Sequence, residues 1–212
     1  MEILDIQALE HAVRVPGFDG AVVRHLIRPA ARQSLVDSCP SGQARELSVP
    51  GNSTARSENY LGGRLSVFDL PVNGGTLSSD WQRLLSEVFS PAYTTRIAEC
   101  AGTSLPASSR RHARLLTYQT GGFLGPHFDN QRGKLLTQVI FINESWDESW
   151  GGQLDCLSTD RSTVLYSVLP TIDNSVVNQC SDQAWHRVNA VQPAARFPRR
   201  SLVIEWFDQK PS

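Results

Sequence analysis

Three side chains in the second half of the chain have the types and the order of metal ligands. His127 and Asp129 lie two residues apart, and on a strand two such residues face the same side. His186 lies further along the chain and is the third candidate. Two imidazoles and one carboxylate make the facial triad that binds iron(II) and leaves other metal positions open. Taken alone, the His-x-Asp spacing is equally typical of a local hydrogen-bonded pair.

A group of arginines after His186 offers a site for an anion. Arg200 stands at the head of an apolar segment that ends at Phe207 and is typical of a strand. A guanidinium binds a carboxylate through two parallel hydrogen bonds. An arginine aimed into a barrel would therefore need an anion, such as a dicarboxylate, whereas a surface arginine would not. Arg199 competes with Arg200 for this role.

The elements before residue 110 are predicted to be mainly helices. Ser79 opens a capping-box pattern, and Ser90 precedes a proline at the first turn of a further helix. Residues 40–64 are rich in Ser, Gly, Pro, Asn and Arg and predict a long polar loop, for which a lid is one functional option. The predicted helices cover 3–13, 29–37, 79–89 and 90–100, with a strand over 21–27.

After residue 110 the apolar pattern becomes that of short strands. Segments rich in β-branched and aromatic residues alternate with clusters of Gly, Asp, Asn and Pro. Helices followed by many short strands indicate an α+β fold with an antiparallel sandwich or barrel in the second half. The predicted strands cover 114–120, 135–143, 153–157, 163–169, 175–180, 186–191 and 201–207.

The composition indicates which classes of partner and which cellular compartment to expect. The chain has 212 residues, which fits one domain, and a formal net charge of -1, which argues against a nucleic-acid partner. No apolar stretch is long enough to span a membrane, and the first residues lack an apolar signal core. The four cysteines form no Cys-x-x-Cys pair, which argues against a zinc site and against a disulfide framework. We expect a cytoplasmic protein with reduced thiols.

The order of these motifs resembles that of the 2-oxoglutarate- and iron(II)-dependent oxygenases, in their prolyl-4-hydroxylase-like branch. The resemblance covers about residues 112–208. It implies a double-stranded β-helix core of the jelly-roll or cupin type, buttressed by N-terminal helices. It implies one oxygenase domain over 1–212, with helical support over 1–110 and the catalytic core over 111–208. The motifs that carry it are Tyr118, Gly121-Gly122, His127-Phe128-Asp129-Asn130, Thr137, Asn143, Trp150-Gly151-Gly152-Gln153-Leu154, Pro170, Trp185-His186-Arg187-Val188, Arg200 and Trp206-Phe207.

The family's site residues carry over to individual positions. By this resemblance His127, Asp129 and His186 are the catalytic iron ligands. Arg200 resembles the residue that pairs with the distal carboxylate of 2-oxoglutarate, because it stands six residues before Trp206; Arg199 and Arg196 are its competitors. Tyr118 and Thr137 resemble positions that hydrogen-bond the cosubstrate. Phe141 stands where some relatives have a tyrosine hydroxyl, and Asn130 and Gln138 are candidates to line the pocket.

The implied activity is that of a dioxygenase that uses Fe(II), 2-oxoglutarate and O2, with ascorbate as a further helper. It would hydroxylate a C–H bond and release succinate and CO2. The substrate we expect is a small molecule, such as a free or carrier-bound amino acid or a natural-product intermediate. Prolyl or peptidyl hydroxylation of a protein is the alternative. Retention of Asp129 favours hydroxylation over halogenation, and leaves desaturation and cyclisation open.

Two further functions are weaker alternatives. Relatives that dealkylate nucleic acids typically repeat an arginine six residues after the cosubstrate arginine, and Trp206 stands at that position here. A β-helix domain that has lost catalysis would serve as a binding module, but loss of a ligand would mark it, and all three candidate ligands are present. No nucleic acid and no membrane is therefore expected as a partner.

Overall fold

The computed structural model describes residues 2–41, 44–49, 63–70, 77–129 and 131–208. Within these ranges three α-helices precede most of the strands. Two short 3-10 helices cover Ile6–His11 and Glu148–Trp150. No helix in the described ranges is long and apolar enough to cross a membrane. The α-helices are α1 (Pro29–Asp37), α2 (Ser79–Val88) and α3 (Pro91–Ala101).

In the described residues, twelve strands form one antiparallel sheet that is strongly curled. Its order is β1-β2-β10-β7-β12-β5-β4-β6-β11-β8-β9, and β3 pairs with β4 outside this path. The strands are β1 (Val13–Arg14), β2 (Gly20–Arg24), β3 (Arg45–Val49), β4 (Gly63–Asp69), β5 (Arg110–Tyr118), β6 (Phe123–His127), β7 (Lys134–Phe141), β8 (Leu154–Leu157), β9 (Val164–Val168), β10 (Asn174–Gln179), β11 (His186–Val188) and β12 (Arg199–Phe207).

Strand β4 connects two layers of this sheet. Its last residues pair with β5, and its first residues pair with β6. The larger layer runs from β1 to β5, and the smaller layer contains β6, β11, β8 and β9. Side chains of both layers pack together in the interior, among them Phe141 and Val203 from the larger layer and Cys156 and Val168 from the smaller. This arrangement confirms the predicted α+β fold with a double-stranded β-helix core.

The two faces of β12 separate the helical core from the barrel interior. Leu202, Ile204 and Trp206 pack with the helices in the main apolar cluster. Val203 packs in the cluster between the two layers. Because side chains alternate along a strand, the odd-numbered residues of β12 face the interior. This alternation decides which arginine at the start of β12 can reach a ligand there.

The helix predictions agree with the structure except in details of their starts. Helix α1 has the predicted bounds, and the Ser90 hydroxyl accepts a hydrogen bond from the Tyr93 amide at the start of α3. The N-cap of α2 is Ser78 rather than Ser79, since the Ser78 hydroxyl accepts from the Trp81 amide. The segment predicted as a helix over 3–13 contains only the 3-10 helix Ile6–His11.

Two predictions about the first half of the chain are wrong. The predicted polar loop over 40–64 contains β3 and the first residues of β4, whose residues pair from Arg45↔Val67 to Val49↔Gly63. The backbone hydrogen bonds of a hairpin need no apolar periodicity, so composition concealed these strands. The region 1–110 also supplies β1, so it is less helical than predicted, whereas β2 falls at the strand predicted over 21–27. Residues 42–43 and 50–62 of the predicted loop lie outside the described residues.

Candidate active site

Two histidine side chains meet across adjacent strands of the smaller layer. His186 on β11 is the direct cross-strand partner of His127 at the end of β6, and their ring centroids lie 4.2 Å apart. Both side chains are 5% exposed. The Nδ1 atoms lie 2.8 Å from the Gly125 carbonyl oxygen and 2.9 Å from the Ala184 carbonyl oxygen respectively. These carbonyls require Nδ1–H donors, so each ring presents Nε2 as its metal-binding atom.

Asp129 lies just beyond the end of β6 rather than on the strand with His127. Its side chain is 15% exposed. The Lys134 ammonium donates to its Oδ1 at 3.2 Å, and the Asn178 amide donates to its Oδ2 at 3.2 Å. Thr137, the cross-strand neighbour of Asn178, adds a side-chain hydrogen bond to the Asp129 carboxylate. The carboxylate is therefore held by three protein donors.

Electrostatics place the two kinds of ligand in the protonation states that a metal requires. Burial and the neighbouring His186 ring lower the pKa of His127 to about 3, so its imidazole is neutral at pH 7. Burial would raise the pKa of Asp129, but Lys134, His186 and His127 together hold it below its usual range. Neutral imidazole and ionised carboxylate are the states in which both groups bind a divalent cation.

The prediction that Arg200 faces the barrel interior is wrong. Arg200 lies on the helix face of β12, where its charge lowers the pKa of the Cys39 thiol against the larger effect of burial. Arg199 is 1% exposed and lies on the interior face. The six-residue spacing to Trp206 explains the error, because an even spacing on a strand places both residues on one face. Trp206 packs against the helices, so Arg200 shares that side.

The guanidinium of Arg199 is buried with one nitrogen left without a partner. Its Nε donates to the Gly152 carbonyl at 3.0 Å and its Nη1 to the Ser201 hydroxyl at 3.0 Å. Its Nη2 has no hydrogen-bond partner in the part of the chain that the structure describes. The guanidinium lies over the rings of Tyr118 and Phe141, 4.7 Å and 5.0 Å from their centroids. Burial lowers the pKa of Arg199 to about 10. Such a cation is suited to one carboxylate ligand.

Two motifs of the sequence hold Arg199 in this position. Gly151 and Gly152 have φ of +67° and +69°, and a Cβ on Gly151 would lie 2.1 Å from the Ala190 carbonyl oxygen. Only glycine fits this close approach, which brings the Gly152 carbonyl to Arg199. Asn143 donates to the Pro198 carbonyl and accepts from the Arg200 amide, each at 2.8 Å. The start of β12 is thus fixed on both sides.

The remaining predicted pocket residues lie in different places. Tyr118 is 1% exposed beside Arg199, and burial raises its pKa to about 12. Thr137 lies beside Asp129 rather than beside Arg199. Gln138 faces the helices, where it accepts from the Tyr93 hydroxyl and donates to the Ser175 hydroxyl. The proposed pocket role of Gln138 is therefore wrong, and Asn130 lies outside the described residues.

The donor set fits iron(II) and 2-oxoglutarate by its chemistry. Two imidazoles with fixed tautomers and one ionised carboxylate match the facial triad. The unpartnered Nη2 of Arg199 matches the far carboxylate of a dicarboxylic acid. In the described residues no three His, Cys, Asp or Glu side chains stand in a ready-made metal arrangement.

Four residues of the site were missed or rejected in the sequence. Arg199 could have been found from the alternation of β12, since Leu202 and Ile204 mark the buried helix face. Asn178 is a buried amide that directly follows two buried valines in β10, which is a usable signal. Lys134 and Glu205 carry no such signal, because charged residues at strand ends are most often solvated.

The sequence comparison identifies the class of this site. The family model described as 2OG-Fe(II) oxygenase superfamily matches residues 113–208. This match assigns the region 113–208 of the chain to the superfamily. The match indicates a 2OG-Fe(II) oxygenase enzyme, and this superfamily implies Fe(II), 2-oxoglutarate and O2. No curated protein sequence matches the chain.

Solved structures share the fold at low sequence identity. A Pseudomonas putida prolyl-4-hydroxylase is 16% identical, with a TM-score of 0.65 over 96% of this chain and 98% of the other. A Trichoplax adhaerens prolyl hydroxylase, solved with a peptide fragment of hypoxia inducible factor, is 15% identical, with a TM-score of 0.68 over 95% and 88%. SnoN, an α-ketoglutarate-dependent epimerase of nogalamycin biosynthesis, is 14% identical, with a TM-score of 0.59 over 96% and 84%.

Proposed function

We propose that the chain hydroxylates a C–H bond of a small molecule, with Fe(II) held by His127, Asp129 and His186 and 2-oxoglutarate held by Arg199. The observation that carries the proposal is the buried guanidinium of Arg199. Among the described residues its Nη2 has no hydrogen-bond partner, and the guanidinium faces the same interior as His127 and His186. An unpaired buried cation is costly, and a carboxylate ligand offsets that cost.

The protein groups have distinct tasks in this proposal. When bound, the iron and 2-oxoglutarate supply the oxidising power that breaks the C–H bond, with release of succinate and CO2. His127 and His186 would bind through Nε2, and the Gly125 and Ala184 carbonyls fix the tautomer and the orientation of both rings. Arg199 orients the cosubstrate through its distal carboxylate, and Ser201 and Gly152 fix the guanidinium. The interior apolar side chains keep water from the reacting atoms.

Substrate size divides the proposal into two candidates. SnoN, with a TM-score of 0.59, is an epimerase of natural-product biosynthesis, which supports a small molecule such as an amino acid or a natural-product intermediate. The second candidate is hydroxylation of a prolyl or other peptidyl residue. It is favoured by the two prolyl hydroxylases with the same fold, one of them solved with a peptide fragment. Desaturation and cyclisation use the same site residues.

The revised position of the arginine also bears on nucleic-acid dealkylation. Six residues after Arg199 stands Glu205, which is acidic and 1% exposed. An acidic side chain cannot replace the second arginine that such enzymes repeat. The formal net charge of -1 points the same way. Neither observation supports a nucleic-acid substrate.

The experiment is succinate formation from 2-oxoglutarate by the purified protein with iron(II) and ascorbate. The panel contains free amino acids, small natural-product acids and amides, and proline-containing peptides, and each product mixture is examined for a mass gain of one oxygen. We expect succinate that rises with a small molecule and disappears in His127→Ala. A peptide that gains oxygen instead would support the second candidate. No succinate in any mixture, from a folded protein that retains no iron, would overturn the assignment and favour a binding module.

A further inference from the structure

A buried lysine contacts the carboxylate of Asp129, which is also a ligand of the proposed metal. The Lys134 side chain is 6% exposed, and its Nζ lies 3.2 Å from Asp129 Oδ1. Lys134 also forms an ion pair with Glu205, whose side chain is 2% exposed. Lys134 stands at the start of β7 and Glu205 near the end of β12, so two strands of the larger layer bring them together. Lysine is seldom buried to this extent unless it is paired.

Glu205 is the centre of a wider charge network. Its Oε2 accepts from Arg114 and lies 3.4 Å from the His112 ring, and its Oε1 faces Lys134. Burial would lower the pKa of Lys134, but Asp129 and Glu205 raise it above its ordinary value. The lysine is therefore a fixed positive charge, which two carboxylates hold from opposite sides.

The position of this charge is unfavourable for a divalent cation. A metal ion that binds Asp129 comes within a few ångströms of the Lys134 ammonium, and like charges at that distance repel strongly in a buried site. The same ammonium occupies Oδ1 of the carboxylate as a hydrogen-bond donor. Glu205 acts in the opposite direction, since it draws the ammonium away from Asp129 and adds a negative charge nearby.

We propose that Lys134 competes with the metal for Asp129, and that Glu205 moderates this competition. Lys134 is then a positioning residue that weakens metal binding, and Glu205 is one that strengthens it. The inference rests on the proposed metal site, because it takes Asp129 as a ligand. It assigns opposite effects to two residues that form one ion pair, which a purely structural role of that pair cannot produce.

The test is the affinity of the EDTA-treated full chain for Mn(II), measured by calorimetry without 2-oxoglutarate or substrate. Lys134→Met should bind Mn(II) about tenfold more tightly than the wild type, the scale on which groups around metal ligands change affinity. Glu205→Gln should bind it about tenfold more weakly. Lys134→Arg, which keeps the charge, should stay near the wild type. Arg32→Met removes one positive charge from the ion pair of α1 with Asp173 and should have no effect.

Circular dichroism of each variant establishes that it is folded before its affinity is compared, and Lys134→Gln replaces a methionine variant that does not fold. Weaker or unchanged Mn(II) binding by Lys134→Met, or by Lys134→Gln in its place, would overturn the inference, as would tighter binding by Glu205→Gln. Failure of the metal site itself has a different signature. In that case the wild type binds no Mn(II), or Asp129→Ala binds it as well as the wild type does.

Discussion

The barrel interior holds two buried cations whose surroundings are opposite. Arg199, at the start of β12, stacks on Tyr118 and Phe141 and has no carboxylate among its described partners. Lys134, near the other end of β12, is held between Asp129 and Glu205. Both side chains are nearly inaccessible to water, so the difference lies in pairing and not in burial.

This difference separates a charge that is prepared for a ligand from one that is already neutralised. An unpaired buried guanidinium gains most from an incoming carboxylate, because its desolvation cost has already been met by the fold. A lysine between two carboxylates gains little from another anion, and it influences the site mainly through the carboxylate that it occupies. Loss of Arg199 should therefore affect cosubstrate binding, and loss of Lys134 should affect the metal.

The largest effect on turnover should come from removing a metal ligand, because both the metal and the cosubstrate need the metal site. His186→Ala should reduce 2-oxoglutarate turnover at least a thousandfold and abolish Mn(II) binding, since two remaining ligands hold the ion poorly. Steady-state succinate formation and calorimetry measure the two effects. His11→Ala, at an exposed position of the 3-10 helix, is the control and should behave as the wild type. Turnover by His186→Ala near the wild-type rate would contradict the assignment.

The next effect contrasts two adjacent arginines. Arg199→Met should raise the Kd for 2-oxoglutarate in the presence of Mn(II) by about a hundredfold, because it removes charge-assisted hydrogen bonds to a carboxylate. Arg200→Met should change that Kd less than about twofold, because Arg200 lies on the helix face. Calorimetry provides both values. The reverse order would restore Arg200 as the cosubstrate residue.

A third prediction concerns the glycine that brings the Gly152 carbonyl to Arg199. Gly151→Ala should lower the free energy of unfolding by about 2 kcal/mol or more, since φ is +67° and the new Cβ would meet the Ala190 carbonyl. Gly133→Ala is a matched control, with φ of +80° and nothing within 4 Å of its Cβ. It should cost about 1 kcal/mol, the backbone penalty alone. Urea unfolding measures both values. Equal losses of unfolding free energy in the two variants would show that the close approach to Ala190 does not make Gly151 special.

The smallest expected effect on cosubstrate binding concerns a hydroxyl group that contacts Arg199. Ser201→Ala removes the hydroxyl that accepts from Nη1, which leaves the guanidinium oriented by Gly152 and the two rings. The Kd for 2-oxoglutarate should rise about tenfold, the lower end of the scale for one hydrogen bond to a charged group. A Kd as high as that of Arg199→Met would mean that Ser201 contacts the cosubstrate itself.

The strands of the second half other than β6 could be predicted from their apolar pattern, and the register between them could not. The motif order identified the family and the candidate ligands, because His127, Asp129 and His186 stand in recognisable surroundings. The choice between Arg199 and Arg200 required knowing which alternate residues of β12 face the interior. That depends on which face of the strand the helices cover. The pairing of Lys134 with Glu205 joins β7 to β12 across the sheet, and no local pattern encodes such a contact. Strand β3 was concealed by a polar composition.

Binding of 2-oxoglutarate to the full chain with and without Mn(II) tests the central claim most directly. The claim is that one interior holds a metal through the two histidines and Asp129, and a dicarboxylate through Arg199. Calorimetry should then show binding of one 2-oxoglutarate per chain that requires Mn(II) and is lost in Asp129→Ala. Binding that is independent of Mn(II) and unchanged in Asp129→Ala, or no binding by a folded protein, would contradict the account.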